Sequence, residues 1–367
     1  MNNKIKVAII FGGKSAEHEV SVQSAKTVFD YINRKKYDPV LIQIDKMGHW
    51  QFVEHIALFN NSKKQINKKV DQTCVLVPQG SGSVIGKDGL FQKRAFDVVF
   101  PVLHGTYGED GTMQGFLKLA NVPFVGASVL GSAIGMDKDI MKRLLKAAGI
   151  LVADFLVFNS YEKNKIYFNN VVKKLKLPFF VKPANSGSSV GISKVHDRKE
   201  FIEAIKQAFY FDNKILIEEC IVGREIECAV LGNENPEASI PGEILTNLKN
   251  HEFYSYQAKY IDENGVSLVI PAHLNKVLIK KVKYLAIKTF KILNCEGMAR
   301  VDFFLDNKNK LIVNEINTIP GFTKFSMYPK LWEQSGLSYE NLIDKLIQLA
   351  IERFEKESRL KTSYINV

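Results

Sequence analysis

The sequence predicts a mixed α/β protein that opens with a doubly wound parallel sheet and continues into antiparallel units. An apolar run at 5–11 is followed by Gly12-Gly13 and then by apolar residues at helical spacing. The order strand, tight turn, helix is typical of a doubly wound unit. Later apolar runs come in pairs, at 214–221 with 223–231 and at 299–305 with 311–316, and they indicate antiparallel strands.

Length and composition place the chain among soluble globular proteins. Its 367 residues suffice for two or three domains, and 46% are apolar against 24% charged. No apolar run approaches the roughly 18 residues that cross a bilayer, and the first residues run directly into a predicted strand. We therefore expect a cytoplasmic protein without a membrane partner.

Charge distribution and cysteine spacing argue against two further classes of protein. The net charge of +11 invites a nucleic-acid partner, but the lysines are scattered over predicted helix faces at 138–146, 173–176 and 276–288, as on a solvated surface. We therefore expect small-molecule substrates and no nucleic acid. The four cysteines are widely spaced and lack a His cluster, so neither a zinc site nor a disulfide framework is indicated. They are Cys74, Cys220, Cys228 and Cys295.

The remaining elements follow from periodicity and turn residues. The first part of the chain is predicted to contain a strand at 40–44, an irregular segment with short strands at 46–94, a strand at 95–103, a helix at 111–120, a strand at 123–126 and a linker at 126–136. The second part is predicted to contain helices at 137–148, 160–175, 197–209, 274–294 and 338–356, strands at 151–157 and 178–182, and loops at 182–192 and 251–260.

The late hairpin carries the polar set that we consider most informative. A two-residue loop at Lys308-Asn309 would place Asp302 opposite Glu315 and Arg300 opposite Asn317, all on one sheet face. A three-residue loop would split the set between the two faces. The other face is predicted to be core, formed by Val301, Phe303, Leu305, Ile312 and Ile316.

This polar face has two interpretations. Carboxylate and amide oxygens without His or Cys suit Mg²⁺ held together with phosphates. The alternative is an exposed hairpin stabilised by a network of ion pairs. The residues of the hairpin alone do not decide between them.

Other segments leave similar alternatives open. Glu17 is either a charge that complements a helix dipole or a clamp for a substrate amine. His104 either touches substrate or caps the next helix. The segment from Lys182 to 192 is either a phosphate-binding loop or a plain hairpin. The aromatic segment 251–260 is typical of an active-site flap.

Six motifs together resemble one family, the D-alanine–D-alanine ligases. They are FGGKSAEHEVS (11–21), LHGTYGEDG (103–111), KPANSGSSVGI (182–192), FYSYQAKY (253–260), GMARVDFF (297–304) and NEINTIPGFTKFSMYP (314–329). The resemblance spans nearly the whole chain. It implies a three-domain ATP-grasp fold, with boundaries expected at 1–126, 127–213 and 214–367, and a homodimer that makes D-alanyl-D-alanine for peptidoglycan through an acyl phosphate.

The resemblance also implies site residues. Asp302, Glu315 and Asn317 would hold two Mg²⁺ or Mn²⁺ ions. ATP would be bound by Lys138, Lys182, Ser189, Glu218, Glu219, Ile221, Glu225 and Lys259. The catalytic set would be Glu17, Ser188, Tyr260, Arg300 and Gly321, with His104, Ser326 and Met327 at the substrates. Tyr260 further implies D-alanine as the second substrate.

Overall fold

The computed structural model describes residues 4–53, 73–86, 89–92, 95–246 and 266–364. The strands are β1 Ile5–Gly12, β2 Tyr37–Ile44, β3 Trp50–Phe52, β4 Cys74–Leu76, β5 Val84–Gly86, β6 Phe91–Gln92, β7 Val98–Val102, β8 Phe155–Asn159, β9 Phe179–Pro183, β10 Ser193–Val195, β11 Lys214–Glu219, β12 Gly223–Gly232, β13 Glu237–Ala238, β14 Gly242–Thr246, β15 Val266–Val269, β16 Gly297–Asp306 and β17 Leu311–Asn317. The helices are α1 His18–Tyr31, α2 Thr112–Leu119, α3 Val129–Met136, α4 Lys138–Ala147, α5 Phe168–Leu175, α6 Arg198–Phe211, α7 Lys276–Ile292, α8 Met327–Gln334 and α9 Tyr339–Ser358, with a 3₁₀ turn at Ser160–Lys165.

The first sheet has the order β3-β2-β1-β7, and β1 is parallel to both β2 and β7. Alternate residues of β1 face opposite sides. Ile9 belongs to a core cluster with residues of α1 and α9, while Ile10 belongs to a second cluster with residues of α2. Helices therefore cover both faces, and the predicted doubly wound sheet is confirmed.

The second sheet is antiparallel, in the order β10-β9-β11-β8, and its core is completed by α5 and α6. We expected the third domain to begin at residue 214. However, β11 pairs with β8 and β9, so these six residues belong to the second sheet. The division of the chain into three domains stays a prediction.

The third sheet has the order β15-β14-β12-β16-β17, with β13 paired to β12. One face packs against α7 through residues such as Cys228 and Val301. The opposite face is apolar at one end, where Leu231 and Met298 join the core of the first sheet. Its other end carries charged side chains and forms the site described below.

The β16–β17 hairpin reaches the predicted pairing by an unexpected route. The turn has a three-residue loop, closed by a backbone hydrogen bond from Asp306 N to Lys310 O of 3.0 Å. Taken alone, this loop would put Asp302 and Glu315 on opposite faces. A β-bulge between Asp302 and Phe303 leaves Asn314 as the extra residue and restores the pairs Asp302–Glu315 and Arg300–Asn317.

The bulge also corrects the predicted core. Ile312 lies opposite Phe304, on the same face as Asp302, and not among the core residues of the other face. Leu311 and Val313 take the inward positions and join the α7 core cluster. The prediction for Ile312 was wrong because a bulge changes which residues face the core on one side of it.

The Gly-, Ser- and Ala-rich segment 126–136 is not a linker. It contains helix α3, which packs against α2, α4 and β17. A Cβ on Gly131 would lie 2.5 Å from Asn294 O, and one on Gly135 would lie 2.8 Å from Thr318 Cγ2. These small residues therefore serve close packing, which composition alone cannot distinguish from flexibility.

Several other predicted boundaries change. The helix predicted at 160–175 is a 3₁₀ turn followed by α5. The strand predicted at 123–126 contributes a bridge between Phe124 and Val99. The strand predicted at 151–157 begins at Phe155. The predicted flap at 251–260 lies outside the described residues.

Buried Arg353 of α9 binds the backbone of the segment that leads from the first sheet to α3. Its guanidinium donates to Gly126 O at 2.6 Å and to Phe124 O at 2.7 Å, and it lies 3.5 Å from Glu296 Oε2. It also stacks on the Phe124 ring at 4.6 Å. Two buried carbonyl groups thus depend on one side chain.

Arg353→Met should lower the free energy of unfolding by about 2–4 kcal/mol, because it leaves those carbonyl groups without donors. Arg359→Met, at an exposed position of the same helical region, is the control and should change it by about 0.5 kcal/mol or less. Urea denaturation measures both. Equal midpoints for the two variants would contradict the role of Arg353.

Candidate functional site

A single cavity of about 830 Å³ collects much of the predicted polar set. It lies where the ends of the first sheet, the loop after β9 and the charged end of the third sheet meet. The predicted residues that line it are Glu17, His104, Lys138, Ser188, Arg300, Glu315, Asn317, Gly321, Ser326 and Met327.

Three carboxylates lie side by side across the third sheet. Asp302 is paired with Glu315 on one neighbouring strand and with Glu227 on the other. Arg300 Nε lies 2.7 Å from Asp302 Oδ1 and 3.0 Å from Glu227 Oε2, and Arg300 Nη2 donates to Asp302 Oδ2 at 2.8 Å. Two carboxylates therefore fix the guanidinium. Sequence reasoning missed Glu227, although its alternation with Glu225 indicated a shared face.

The donor atoms of this face fit a divalent cation. Asn317 Oδ1 is buried and has no hydrogen-bond donor within the described part of the chain. It lies on the same face as Asp302 and Glu315, and such hard oxygen donors suit Mg²⁺. No group of three or more His, Cys, Asp or Glu in the described ranges could hold a metal ion by itself. The candidate set is therefore two carboxylates and one amide.

Lys138 connects this face to the loop after β9. It opens α4, whose first turn is capped by Asp137 through the N–H groups of Asp139 and Ile140. Lys138 Nζ donates to Ser186 O at 2.7 Å and lies 3.7 Å from Glu315 Oε2. One cation thus spans the Gly/Ser loop and the hairpin.

A second buried charge network lies on β11. Glu218 Oε2 is 3.0 Å from Lys182 Nζ and 3.2 Å from Lys142 Nζ. Burial alone would raise the pKa of Glu218, but the two ammonium groups lower it below its usual value. Burial lowers the pKa of Lys142. Lys142 was not predicted, although it lies one helical turn from Lys138 on the same face.

Most of the remaining residues predicted to bind nucleotide lie where β11 leads into β12. Glu219 N–H donates to Asp154 O at 3.0 Å, and Glu219 Oε1 accepts the Asp154 N–H at 2.8 Å. Ile221 lies between the two strands, and Glu225 pairs with Phe304 on the charged face. Ser189 lies in the loop after β9 with a φ of 60°. Lys259 and Tyr260 lie outside the described residues.

Glu17 and Ser188 join two distant loops. Glu17 precedes α1 and is 7% exposed, and Ser188 Oγ donates a hydrogen bond to Glu17 Oε1. A Cβ on Gly187 would lie 2.8 Å from Glu17 Oε2, so the loop after β9 approaches this carboxylate closely only with Gly at that position. Glu17 is thus both a charge at the helix N-terminus and a group that faces the cavity.

His104 is neutral and links the first sheet to the segment after β17. Burial lowers its pKa. Its Nδ1 donates to Ile319 O at 2.9 Å, and Nε2 lies 3.4 Å from Ser24 Oγ. Ser24 Oγ in turn accepts the Phe322 N–H at 3.1 Å. His104 does not cap α2, which begins after Gly111.

One end of the cavity is lined by residues of the segment 321–327. Thr323 N donates to Ser326 Oγ at 3.0 Å. A Cβ on Gly321 would lie 2.8 Å from the same oxygen, so a larger residue there would displace the Ser326 hydroxyl. Met327 is the first residue of α8, where backbone N–H groups lack partners within the helix.

The comparison with known families agrees with this geometry. The family model "D-ala D-ala ligase N-terminus" matches residues 6–127, and "D-ala D-ala ligase C-terminus" matches residues 144–348. The chain belongs to the D-alanine–D-alanine ligase family. The family predicted from the six motifs is therefore confirmed.

Individual relatives cover the whole chain of this family member. A D-alanine–D-alanine ligase of Oceanobacillus iheyensis is 54% identical over 364 residues, which is 98% of this chain and 99% of the relative. The D-alanine–D-alanine ligase structure from Coxiella burnetii has a TM-score of 0.85 at 38% identity and covers 97% of this chain and 98% of its own. The structure of the VanG D-Ala:D-Ser ligase from Enterococcus faecalis has a TM-score of 0.84 at 37% identity. The match covers 95% of this chain and 100% of that structure. The predicted ATP-grasp fold class is confirmed.

Glu218→Gln should lower the free energy of unfolding by about 3–5 kcal/mol at pH 7, because it leaves two buried ammonium groups without their shared carboxylate. The lowered pKa means that ionised Glu218 stabilises the fold above about pH 4.5 and that this contribution is lost as the pH falls further. Thermal and urea denaturation measure the difference.

Asp154→Asn is the matched control, because the Asp154 side chain is 66% exposed. Its ion pair is also longer, with 3.7 Å between Oδ1 and Lys146 Nζ. It should change the free energy of unfolding by about 0.5 kcal/mol or less. A Glu218→Gln protein as stable as the Asp154→Asn protein would show that the buried network does not hold β11 to α4.

Proposed function

We propose that this ligase joins two D-alanine molecules to D-alanyl-D-alanine at the expense of ATP, through an acyl phosphate, to supply peptidoglycan precursors. The observation that carries the proposal is the shared cavity. It unites a carboxylate for an ammonium group, cations for phosphates, and a Gly/Ser segment for a second amino acid.

The chemical difficulty is the poor electrophilicity of a carboxylate. Transfer of the γ-phosphoryl group of ATP to the donor carboxylate releases ADP and creates an acyl phosphate with a good leaving group. The neutral amine of the second D-alanine attacks this carbonyl carbon through a tetrahedral oxyanion. The C–O bond to phosphate breaks, and the nitrogen gives up one proton, which leaves with the phosphate as hydrogen phosphate. The protein has to hold three substrates in line and stabilise the charges that develop.

In the proposed arrangement Glu17 binds the ammonium of the donor, and His104 lies beside the donor. Ser188 holds the Glu17 carboxylate through its hydrogen bond. Tyr260, which lies outside the described residues, would complete this set and favour D-alanine as acceptor. With its ammonium at Glu17, the donor directs its carboxylate along the cavity towards the cations of Lys138 and Arg300.

ATP is assigned to the space between the second and third sheets. Lys138 and Lys182, together with Lys259 outside the described residues, neutralise phosphate charge. Ser189 and Glu218 are also assigned to the ATP site. Lys142 and Lys182 hold Glu218 in place through ion pairs. The Glu219 carbonyl and the Ile221 backbone take the adenine edge, and Glu225 takes the ribose hydroxyls.

Asp302, Glu315 and Asn317 are the residues that would hold two Mg²⁺ or Mn²⁺ ions. When bound, the ions neutralise the negative charge of the phosphates. The unpartnered Asn317 oxygen and the paired carboxylates support this assignment. If Asp302 binds a metal ion, Glu227 would still hold Arg300 through its ion pair.

Arg300 and the Gly321 N–H are proposed to stabilise the oxyanion, because both residues line the cavity. Ser326 and the Met327 N–H bind the carboxylate of the second D-alanine. The start of α8 favours an anion there through its N–H groups and helix dipole. The acceptor amine is thereby directed at the donor carbonyl.

The setting of the enzyme is also proposed. A homodimer in the cytoplasm that binds neither nucleic acid nor membrane fits the scattered lysines and the family resemblance. Within the described ranges, no helix is both long and apolar enough to cross a bilayer.

Product analysis after incubation with ATP, Mg²⁺ and D-alanine tests the proposal. We expect equal amounts of ADP, phosphate and D-alanyl-D-alanine. D-serine and D-lactate serve as alternative acceptors, and the similarity to the D-Ala:D-Ser ligase makes D-serine the second candidate. Phosphate release with D-lactate alone would remove the assignment to D-alanine.

Glu315→Ala should lower kcat about 10³-fold or more while the fold is retained, because it removes a metal ligand and the partner of Lys138. Phosphate release and circular dichroism measure the two effects. Glu352→Ala, at an exposed position of α9, should leave both unchanged. Near-normal turnover of folded Glu315→Ala protein would contradict the metal assignment.

A further inference from the structure

Glu109 is a buried carboxylate in the cavity to which the proposed mechanism gives no task. It is 7% exposed and lines the same cavity as Glu17. Its Oε1 accepts the Gly105 N–H at 2.9 Å, and it also accepts the Ile319 N–H. Two backbone donors therefore hold it in one orientation.

Glu17 and Glu109 face the same small space beside the loop after β9. A Cβ on Gly187 would lie 2.8 Å from Glu17 Oε2 and 3.7 Å from Glu109 Oε1. The absence of a side chain at this position leaves both carboxylates accessible from the cavity. Both oxygens therefore lie within 3.7 Å of one point beside the Gly187 backbone.

The charged groups around this space favour a cation as ligand. His104 is neutral, and it donates to the carbonyl of the same Ile319 whose N–H binds Glu109. Among the described residues Lys138 acts electrostatically on Glu109, but its Nζ is shared between Ser186 O and Glu315. Glu17, its Ser188 partner and Glu109 line the cavity beside these groups, and Ser15 Oγ lies next to Glu17 Oε2 at Gly105.

We propose that Glu109 and Glu17 together form the subsite for the donor ammonium, and that Glu109 carries a proton in the free enzyme which the ammonium displaces. The inference rests on the proposed function. It adds Glu109 to the residues that bind the donor and adds the release of its proton to the binding step. Burial and the charge of Glu17 raise the pKa of Glu109 to about 8, which agrees with a protonated group at neutral pH.

Isothermal titration of D-alanine into the enzyme with Mg²⁺ and a non-hydrolysable ATP analogue, in phosphate and in Tris buffer at pH 7, counts the protons released. Wild type should release about one proton more per bound donor than Glu109→Gln. The difference between the proteins cancels any proton released at the acceptor end. Glu19→Gln, an exposed position on α1 outside the cavity, should behave like wild type.

The free proteins provide a second measurement that needs no ligand. The raised pKa means that protonated Glu109 stabilises the fold at low pH and that this contribution is lost as the pH rises towards 8. Between pH 5 and pH 8 the Tm of wild type should therefore fall about 5 °C more than that of Glu109→Gln.

The two proposals fail differently. If wild type forms dipeptide but Glu109→Gln releases as many protons and has the same Tm profile, the role of Glu109 is overturned and the proposed function stands. If wild type forms no dipeptide and binds no D-alanine, the proposed function is overturned and this inference with it. A lower proton count together with a flatter Tm profile in Glu109→Gln supports the inference.

Discussion

The site depends on the register of one hairpin. The three-residue loop between β16 and β17 displaces the strands by one residue, and the bulge at Asn314 restores the pairing further along. Together they place Asp302, Glu315 and Asn317 on the face that meets Lys138. Because side chains alternate between faces, a shift of one residue would bury these oxygens in the α7 core.

The buried charges of the site are arranged for function more than for stability. Glu218 between Lys142 and Lys182 leaves an excess of positive charge in the interior, where transfer from water is costly. A triphosphate between the second and third sheets would neutralise that excess. Arg300 carries one positive charge but forms ion pairs with two carboxylates, those of Glu227 and Asp302. Such arrangements position groups before the substrates arrive.

The sequence predicted the family, the doubly wound sheet and the hairpin face, because each is encoded by local pattern or by a motif. The bulge at Asn314 was not predictable, since no Gly or Pro marks it and the correct pairing was expected from a shorter loop. The small residues of α3 were misread as flexible because composition does not reveal Asn294 on a neighbouring segment. Lys142 and Glu227 acquire their roles from contacts with residues distant in sequence.

In the proposed mechanism the charged face of the hairpin binds the cations that accompany the triphosphate. Anomalous diffraction from crystals grown with Mn²⁺, ADP and D-alanine tests it most directly. We expect anomalous peaks about 2.1 Å from oxygens of Asp302, Glu315 and Asn317. Peaks remote from all three residues, or Asp302 and Glu315 on opposite faces of the hairpin, would contradict it.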